Sequence, residues 1–113
     1  MSDSVFVYVT TATIEQARAI GRRLVEDRLA ACANVLPGIE SIYRWQGAIE
    51  TAQESVLILK TRAALVDQLA ARVRELHTYD CPCVVALPIV AGNPAYLRWI
   101  ETETTGGGST AFA

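Results

Sequence analysis

The sequence lacks a surplus of basic residues. Its 113 residues include 10 Lys plus Arg against 12 Asp plus Glu, and neither sign of charge forms a run along the chain. Proteins whose main partner is DNA or RNA need positive charge to neutralise phosphates. The charge balance therefore argues against nucleic acid as a partner.

Long apolar runs are also missing. No segment approaches the roughly 18 consecutive apolar residues that a membrane-spanning helix requires. The first residues, MSDSVFVYVTT, contain Asp3 and no basic residue, which is not the pattern of a secretory signal peptide. We therefore expect a cytoplasmic protein with no membrane partner.

Cysteine and histidine are scarce. The three cysteines, Cys32, Cys81 and Cys83, are too few and too unevenly spaced for the disulfide framework of a small secreted domain. We expect reduced thiols, which are good ligands for soft metal ions. His77 is the single histidine, and no G-x-S-x-G, P-loop or Ser/His/Asp pattern accompanies it. The sequence does not predict an enzyme.

Apolar residues, by contrast, are abundant: 51% of the chain is hydrophobic and only 19% is charged. A domain of this size buries about 65% of the surface that its unfolded chain exposes, so it cannot hide every apolar side chain by itself. Another subunit normally covers the excess. The composition predicts a homo-oligomer of a one-domain chain.

The periodic segments follow the order β-α-β-β-α-β plus a short helix. Apolar and β-branched runs predict strands at 5–10, 39–45, 54–60 and 84–90, the last in a central position of the sheet. Apolar residues at helical spacing predict helices at 14–28 and 65–76, and a third after Asn93-Pro94. This order is typical of the ferredoxin-like α+β fold, with two helices on one face of an antiparallel sheet. Residues 1–103 form the predicted domain, and residues 104–113 a flexible tail.

Short signals mark where these elements begin and turn. Thr13 and Gln16 have the spacing of a capping box, and Thr61 is the expected cap of the second helix. Pro37-Gly38 indicates a turn or bulge, and Gln46-Gly47 can reverse the chain. The strands on either side of that reversal then form a long hairpin.

Several motifs resemble the CutA family of divalent-cation tolerance proteins. The stretch RLAACANVLPGIESIYRWQG (residues 28–47) is similar to the family pattern RLAAC-N-PGI-S-Y-W-G, and VLILKT, HTYDCPCVVALPI and GNPAYLRWI continue the likeness to about residue 101. Within it, Cys32 enters a strand as a small residue and is expected to serve packing. The resemblance implies a homotrimer in which the long hairpin reaches a neighbouring subunit. It also implies an association with copper and other divalent cations.

His77, Cys81 and Cys83 are the candidate metal ligands. Where the family typically reads His-Pro-Tyr-Glu-Val-Pro-Glu, this chain reads HTYDCPC, so the resemblance carries over only His77. Val9 and Leu76 occupy places where some relatives have a cysteine and a second histidine. Two thiolates and an imidazole suit Cu(I). The alternative is structural: the histidine bonds the last carbonyls of its helix, and the cysteines fill apolar space.

Tyr43, Lys60 and Tyr79 are candidates for a small-ligand site. In the alternative function, the chain is a signal or assembly module similar to the PII proteins, and these side chains bind a small anion in a cleft between subunits. We expect His77, Tyr79 and Lys60 to lie in one region near the ends of adjacent strands. Tyr43 and Trp45 are equally suited to anchor a subunit interface, since aromatic side chains dominate such contacts.

Overall fold

A computed structural model describes residues 3–104 of the chain. The elements are β1 (Ser4–Thr11), α1 (Ile14–Glu26), β2 (Cys32–Trp45), β3 (Ala48–Arg62), α2 (Val66–Leu76), β4 (Val84–Pro88) and α3 (Pro94–Glu103). A single 3-10 turn (Ala63–Leu65) leads into α2. The strand order is β2-β3-β1-β4 and every pairing is antiparallel. The predicted ferredoxin-like α+β fold is confirmed.

The core lies between one face of the sheet and helices α1 and α2. Val7 and Val9 of β1 pair with Leu59 and Leu57 of β3, and all four side chains are fully buried. Both helices contribute buried side chains to the same cluster: Ala17, Ile20, Leu24, Leu69 and Val73. Because side chains alternate along a strand, Lys60 faces the opposite, more open side of the sheet.

Helix α1 begins as predicted and ends two residues early. The Thr13 side chain accepts a hydrogen bond from the Gln16 backbone N–H at 3.1 Å. The helix ends at Glu26, because Arg28 takes a left-handed conformation with φ 60°. The Leu29 N–H then bonds the Leu24 carbonyl at 3.0 Å, the usual closure of a helix C-terminus.

Helix α1 approaches the sheet closely at Gly21. A Cβ atom at this position would lie 2.9 Å from Leu57 Cδ1 and 3.0 Å from Ala33 Cβ. The lack of space therefore favours glycine here, and its φ lies outside the left-handed region. The close approach brings the α1 face directly onto β2 and β3.

β2 and β3 extend beyond the rest of the sheet as a two-stranded arm. β1 pairs with β3 only as far as Thr11 opposite Ser55. Within the described part of the chain, the pairing partners of residues 39–54 all lie in that same segment, which is called the arm below. The remaining described residues are called the body. The arm gives the molecule its long dimension of 48 Å.

A bulge and a tight turn shape the arm, as the sequence predicts. The β2–β3 register shifts between Leu36 and Ile39, where Gly38 has φ 75°. At the tip, Gln46 and Gly47 have φ of 49° and 83°. Positive φ at both central residues is the conformation that suits a two-residue hairpin, because it matches the twist of the strands.

Two predictions for the second half of the chain are wrong. Thr61 does not cap α2, because β3 continues to Arg62 and the helix follows the 3-10 turn without a side-chain cap. β4 lies at the edge of the sheet and not at its centre. Its residues Val85 and Leu87 are about half exposed in the single chain. An apolar run does not by itself distinguish a central strand from an edge strand.

Helix α3 begins where predicted, and the residue that follows it contacts β3. The Asn93 side chain accepts a hydrogen bond from the Ala95 N–H at 3.1 Å, with Pro94 at the first helical position. Thr104, the first residue of the predicted tail, is fully buried, and its carbonyl accepts from Arg62 Nε at 2.7 Å. Residues 105–113 of that tail lie outside the described residues. Within residues 3–104, no helix has both the length and the apolar character needed to cross a membrane.

Candidate functional site

The polar side chains that could bind a ligand or take part in chemistry form two separate clusters along β3. The Glu54 cluster, consisting of Glu54, His77, Tyr79 and Cys83, lies where the arm leaves the body. The Lys60 cluster, consisting of Cys32, Asn34, Lys60 and Tyr96, lies near the other end of β3. Glu54 and Lys60 lie six positions apart on the extended strand, which corresponds to roughly 20 Å.

His77 closes helix α2 and uses both of its ring nitrogens. The residue is buried, with 9% of its surface exposed. Its Nδ1 accepts a hydrogen bond from the Tyr79 N–H at 3.0 Å, so the ring proton is on Nε2, which donates to the Thr10 carbonyl at 2.8 Å. Neither nitrogen therefore has a lone pair free for a metal ion. His77 ties α2 and the following loop to the end of β1.

Tyr79 connects this loop to the arm. Its hydroxyl donates a hydrogen bond of 2.7 Å to Glu54 Oε2, and its ring lies 4.6 Å from the His77 ring, centroid to centroid. Burial, followed by the hydrogen bond to the Glu54 carboxylate, raises the pKa of Tyr79 to about 12. The tyrosine is therefore a neutral hydrogen-bond donor at physiological pH.

The three candidate metal ligands do not form one site. Cys81 and Cys83 are exposed free thiols, whereas His77 is turned inward toward β1. No group of three or more His, Cys, Asp or Glu side chains within residues 3–104 could hold a metal ion. Partial desolvation and then the nearby Glu54 charge raise the pKa of Cys83, which moves formation of the thiolate that metals bind to higher pH. The side chains thus do not fit the predicted His-Cys-Cys centre.

The prediction that Lys60 shares a region with His77 and Tyr79 is wrong within one chain. Tyr43 lies on the arm opposite Glu50, and the Tyr79 hydroxyl bonds Glu54 at the base of the arm. Lys60 lies toward the other end of β3 and contacts α3 instead. A single chain therefore does not bring the three candidate anion-binding side chains into one cleft.

The Lys60 cluster joins strands β2 and β3 to helix α3. Lys60 Nζ lies 3.0 Å from Asn34 Oδ1, 3.3 Å from the Tyr96 hydroxyl and 4.0 Å from Cys32 Sγ. The ammonium also lies 5.5 Å from the centroid of the Tyr96 ring, a cation–π distance. Cys32 is thus a member of a polar cluster and does not only serve packing.

The sequence interpretation missed Glu54, Asn34 and Tyr96 as members of these clusters. The spacing of Cys32 and Asn34 was a usable signal, since residues two apart on a strand share a face. Tyr96 gave no local signal, because α3 meets β3 only through the tertiary fold.

Comparisons of the sequence and of the structure with known proteins identify one and the same family. A family model described as "CutA1 divalent ion tolerance protein" matches residues 5–103. "Protein CutA 1, chloroplastic" of Oryza sativa subsp. japonica is 45% identical over 101 residues, which is 89% of this chain and 57% of the rice protein. The chain thus spans little more than half the length of that relative.

Two bacterial proteins match over nearly their whole length. "Divalent-cation tolerance protein CutA" of Thermus thermophilus is 48% identical over 98 residues, covering 87% of this chain and 95% of the relative. The crystal structure of CutA from Xylella fastidiosa has a TM-score of 0.88 at 45% identity, covering 91% of this chain and 99% of that one. The family match spans the arm and the positions of both clusters, because it runs over residues 5–103. The chain belongs to the CutA family of divalent-cation tolerance proteins.

Proposed function

We propose that the chain acts in divalent-cation tolerance as a homotrimer whose arms contact neighbouring subunits, and that it is not an enzyme. The observation that carries this proposal is the exposure of the arm. Ile42, Trp45 and Ile49 are 68%, 55% and 61% exposed in the single chain. A two-stranded hairpin is marginally stable in water unless something covers it.

Both faces of the arm carry exposed apolar side chains, which supports contact with other subunits on more than one side. Ile42 and Ile49 share one face, because Ile49 pairs with Arg44, which lies two positions after Ile42 on β2. Tyr43 and Trp45 lie on the other face. Outside the arm, edge strand β4 adds exposed apolar side chains. Uncovered apolar strands of this kind aggregate, whereas a closed assembly removes the hazard.

Sedimentation tests the assembly. At micromolar concentration we expect a trimer, and we expect the variant with Ile42→Glu and Ile49→Glu to sediment as a smaller species. Gln53→Lys, which adds a charge at an exposed polar position of the arm opposite Glu40, is the control and should leave the trimer intact. A monomeric parent would contradict the whole assembly, and a dimeric parent would contradict its three-fold symmetry.

Copper is the proposed metal, and Cys81 with Cys83 are its proposed ligands. Both are exposed free thiols two positions apart, and a pair of thiolates is a soft donor set that prefers Cu(I) to Mg²⁺ or Ca²⁺. His77 is left out of the ligand set because its nitrogens bond Thr10 and Tyr79. Protons compete for thiolates, so affinity falls as pH is lowered.

A Cu(I) competition titration of the reduced protein tests this ligand set. We expect the double variant Cys81→Ser with Cys83→Ser to lose most of the affinity and to remain assembled. Cys32→Ser and His77→Gln should bind nearly as the parent does. Equal binding by the double cysteine variant would contradict the thiol pair. A comparable loss of Cu(I) affinity in a folded His77→Gln variant would show that His77 is also a ligand.

The compartment is also a proposal. The three cysteines are free thiols in the described structure, which fits a reducing compartment such as the cytoplasm. Fractionation of cells that produce the chain at its natural level, with a cytoplasmic marker as reference, tests this assignment. Recovery with a membrane-enclosed or extracellular marker would contradict it.

A further inference from the structure

Lys60 carries a positive charge without a carboxylate partner in its own chain. All 12 Asp and Glu residues lie within residues 3–104, and none of them places an oxygen within ion-pair distance of Lys60 Nζ. The ammonium instead contacts the Asn34 amide oxygen and the Tyr96 hydroxyl. This charge is therefore free to pair with a carboxylate that another molecule supplies.

Glu50 on the arm is the matching carboxylate. It is exposed, it lies opposite Tyr43, and within residues 3–104 no ion pair involves its side chain. Glu50 and Lys60 are an even number of positions apart on β3, so both side chains point to the same face of the sheet. The ten positions between them span roughly 33 Å of extended strand, so the two charges cannot meet within one chain.

The face that these two residues share, opposite α1 and α2, is called the open face. On the body, the strand residues of the open face include Lys60 and Arg62 and, among the residues described, no Asp or Glu. On the arm, the same face carries Glu50 and Glu54, whereas Arg44, the one basic residue of the arm, lies on the other face. The two ends of the open face therefore have opposite charge, and the arm of one copy is complementary to the body of another.

Exposed apolar side chains accompany the charges on the open face. Five of them are between 42% and 55% exposed in the single chain: Tyr43 and Trp45 on the arm, and Leu36, Val85 and Leu87 on the body. An arm that lies over the body of another copy removes apolar surface from water on both partners. The apolar area favours the contact, and the charges select its orientation.

We propose that the open face of the body receives the arm of a second copy of this chain, with Glu50 of the arm paired to Lys60 of the body. This proposal rests on the homotrimer proposed above and adds the surface that receives each arm. The contact is heterologous, because a different surface of each partner takes part in it. Every subunit then gives one arm and receives one, and a ring of three copies leaves no arm and no body unpaired.

Carbodiimide cross-linking tests the pair, because it joins an amine directly to a carboxylate and Lys60 is the single lysine of the chain. The full chain is cross-linked at micromolar concentration, separated on a denaturing gel and digested for mass spectrometry. We expect products of two and three times the chain mass, in which Lys60 is joined to Glu50 of another copy. Glu50→Gln should lose this link. Glu40→Gln, which removes an exposed carboxylate from the other face of the arm, is the matched control and should keep it.

Charge reversal separates this contact from the assembly as a whole. Lys60→Glu and Glu50→Lys should each raise the concentration at which the trimer dissociates by at least about fivefold per contact, the effect of two unit charges 4 Å apart in water. The double variant restores the pair with its charges exchanged and should dissociate nearly as the parent does. A trimeric parent without a Lys60–Glu50 link, or a double variant that is weaker than both single variants, would overturn this contact alone. A monomeric parent would overturn the contact together with the proposed homotrimer.

Discussion

The body and the arm are both built from apolar β-strand sequence, yet they differ in what covers them. In the body, Leu57 and Leu59 of β3 lie under two helices and are fully buried. In the arm, Ile49 of the same strand is 61% exposed. One strand thus passes from a covered to an uncovered environment without losing its pairing with β2. The comparison shows that strand pairing alone does not bury the apolar side chains of this chain.

The body owes its stability to burial, and we expect the largest effect of a single substitution there. Leu57→Ala removes a fully buried side chain between β1 and α1 and should lower the free energy of unfolding by about 2–5 kcal/mol. Denaturant unfolding at fixed protein concentration measures it. Leu57→Met, which conserves volume, should cost less than about 1.5 kcal/mol. A loss below 1 kcal/mol for the alanine variant would contradict this account of the core.

The contact between α1 and the sheet should show the next largest effect. Gly21→Ala places a methyl group against Leu57 and Ala33, and we expect the free energy of unfolding to fall by about 1–3 kcal/mol. This value is a net loss, because alanine otherwise stabilises a helix by roughly 0.5–1 kcal/mol relative to glycine. Arg22→Ala, on the exposed side of α1, is the control and should change stability by about 0.5 kcal/mol or less. A stabilised Gly21→Ala variant would show that the helix moves away without cost.

The junction between the body and the arm should contribute less to the free energy of unfolding than the core does, and its contribution should depend on pH. Tyr79→Phe removes the hydroxyl that bonds Glu54, and we expect a loss of about 1–2 kcal/mol at neutral pH because the site is only partly buried. The pKa of Tyr79 is raised to about 12, so its neutral form is favoured by folding. The contribution is fully present below about pH 10 and is lost as pH rises toward 12.

Denaturant unfolding of Tyr79→Phe and the parent at several pH values measures this junction. The difference between the two proteins should be constant in the neutral range and shrink above about pH 10. Glu54→Gln keeps an acceptor at the same position and should lose less stability than Tyr79→Phe. A difference that grows between pH 10 and 12 would contradict the assigned direction.

The tip of the arm should show the smallest effect. Gly47 has φ 83°, and Gly47→Ala should destabilise the chain by about 1 kcal/mol because alanine is strained in that conformation. Hydrogen exchange should be faster in the arm of this variant, while the amides of β1 remain protected. Gln46→Asn, which also suits a positive φ, is the matched control and should be nearly neutral. Loss of protection throughout the body would show that the arm and body unfold together.

Most of the fold was predictable because its signals are local. Thr13, Asn93, Gly38 and Gly47 each act within a few residues of their own position, and each does what its sequence context predicts. The position of β4 was not predictable in this way. A strand needs the same apolar residues whether a neighbouring element of its own chain or another subunit covers it. The pattern therefore does not show whether β4 lies at the centre or at the edge of the sheet.

The sequence by itself determined the element order, the starts of α1 and α3, the bulge and turn of the hairpin, and the apolar excess of the composition. The tertiary structure determined which polar side chains contact one another. It turned His77 inward to Thr10, joined Tyr79 to Glu54, and brought Lys60, Cys32 and Tyr96 together. The physical reason is the range of the interactions: caps and turns involve neighbours in sequence, whereas these side chains meet across 25 to 67 positions of the chain.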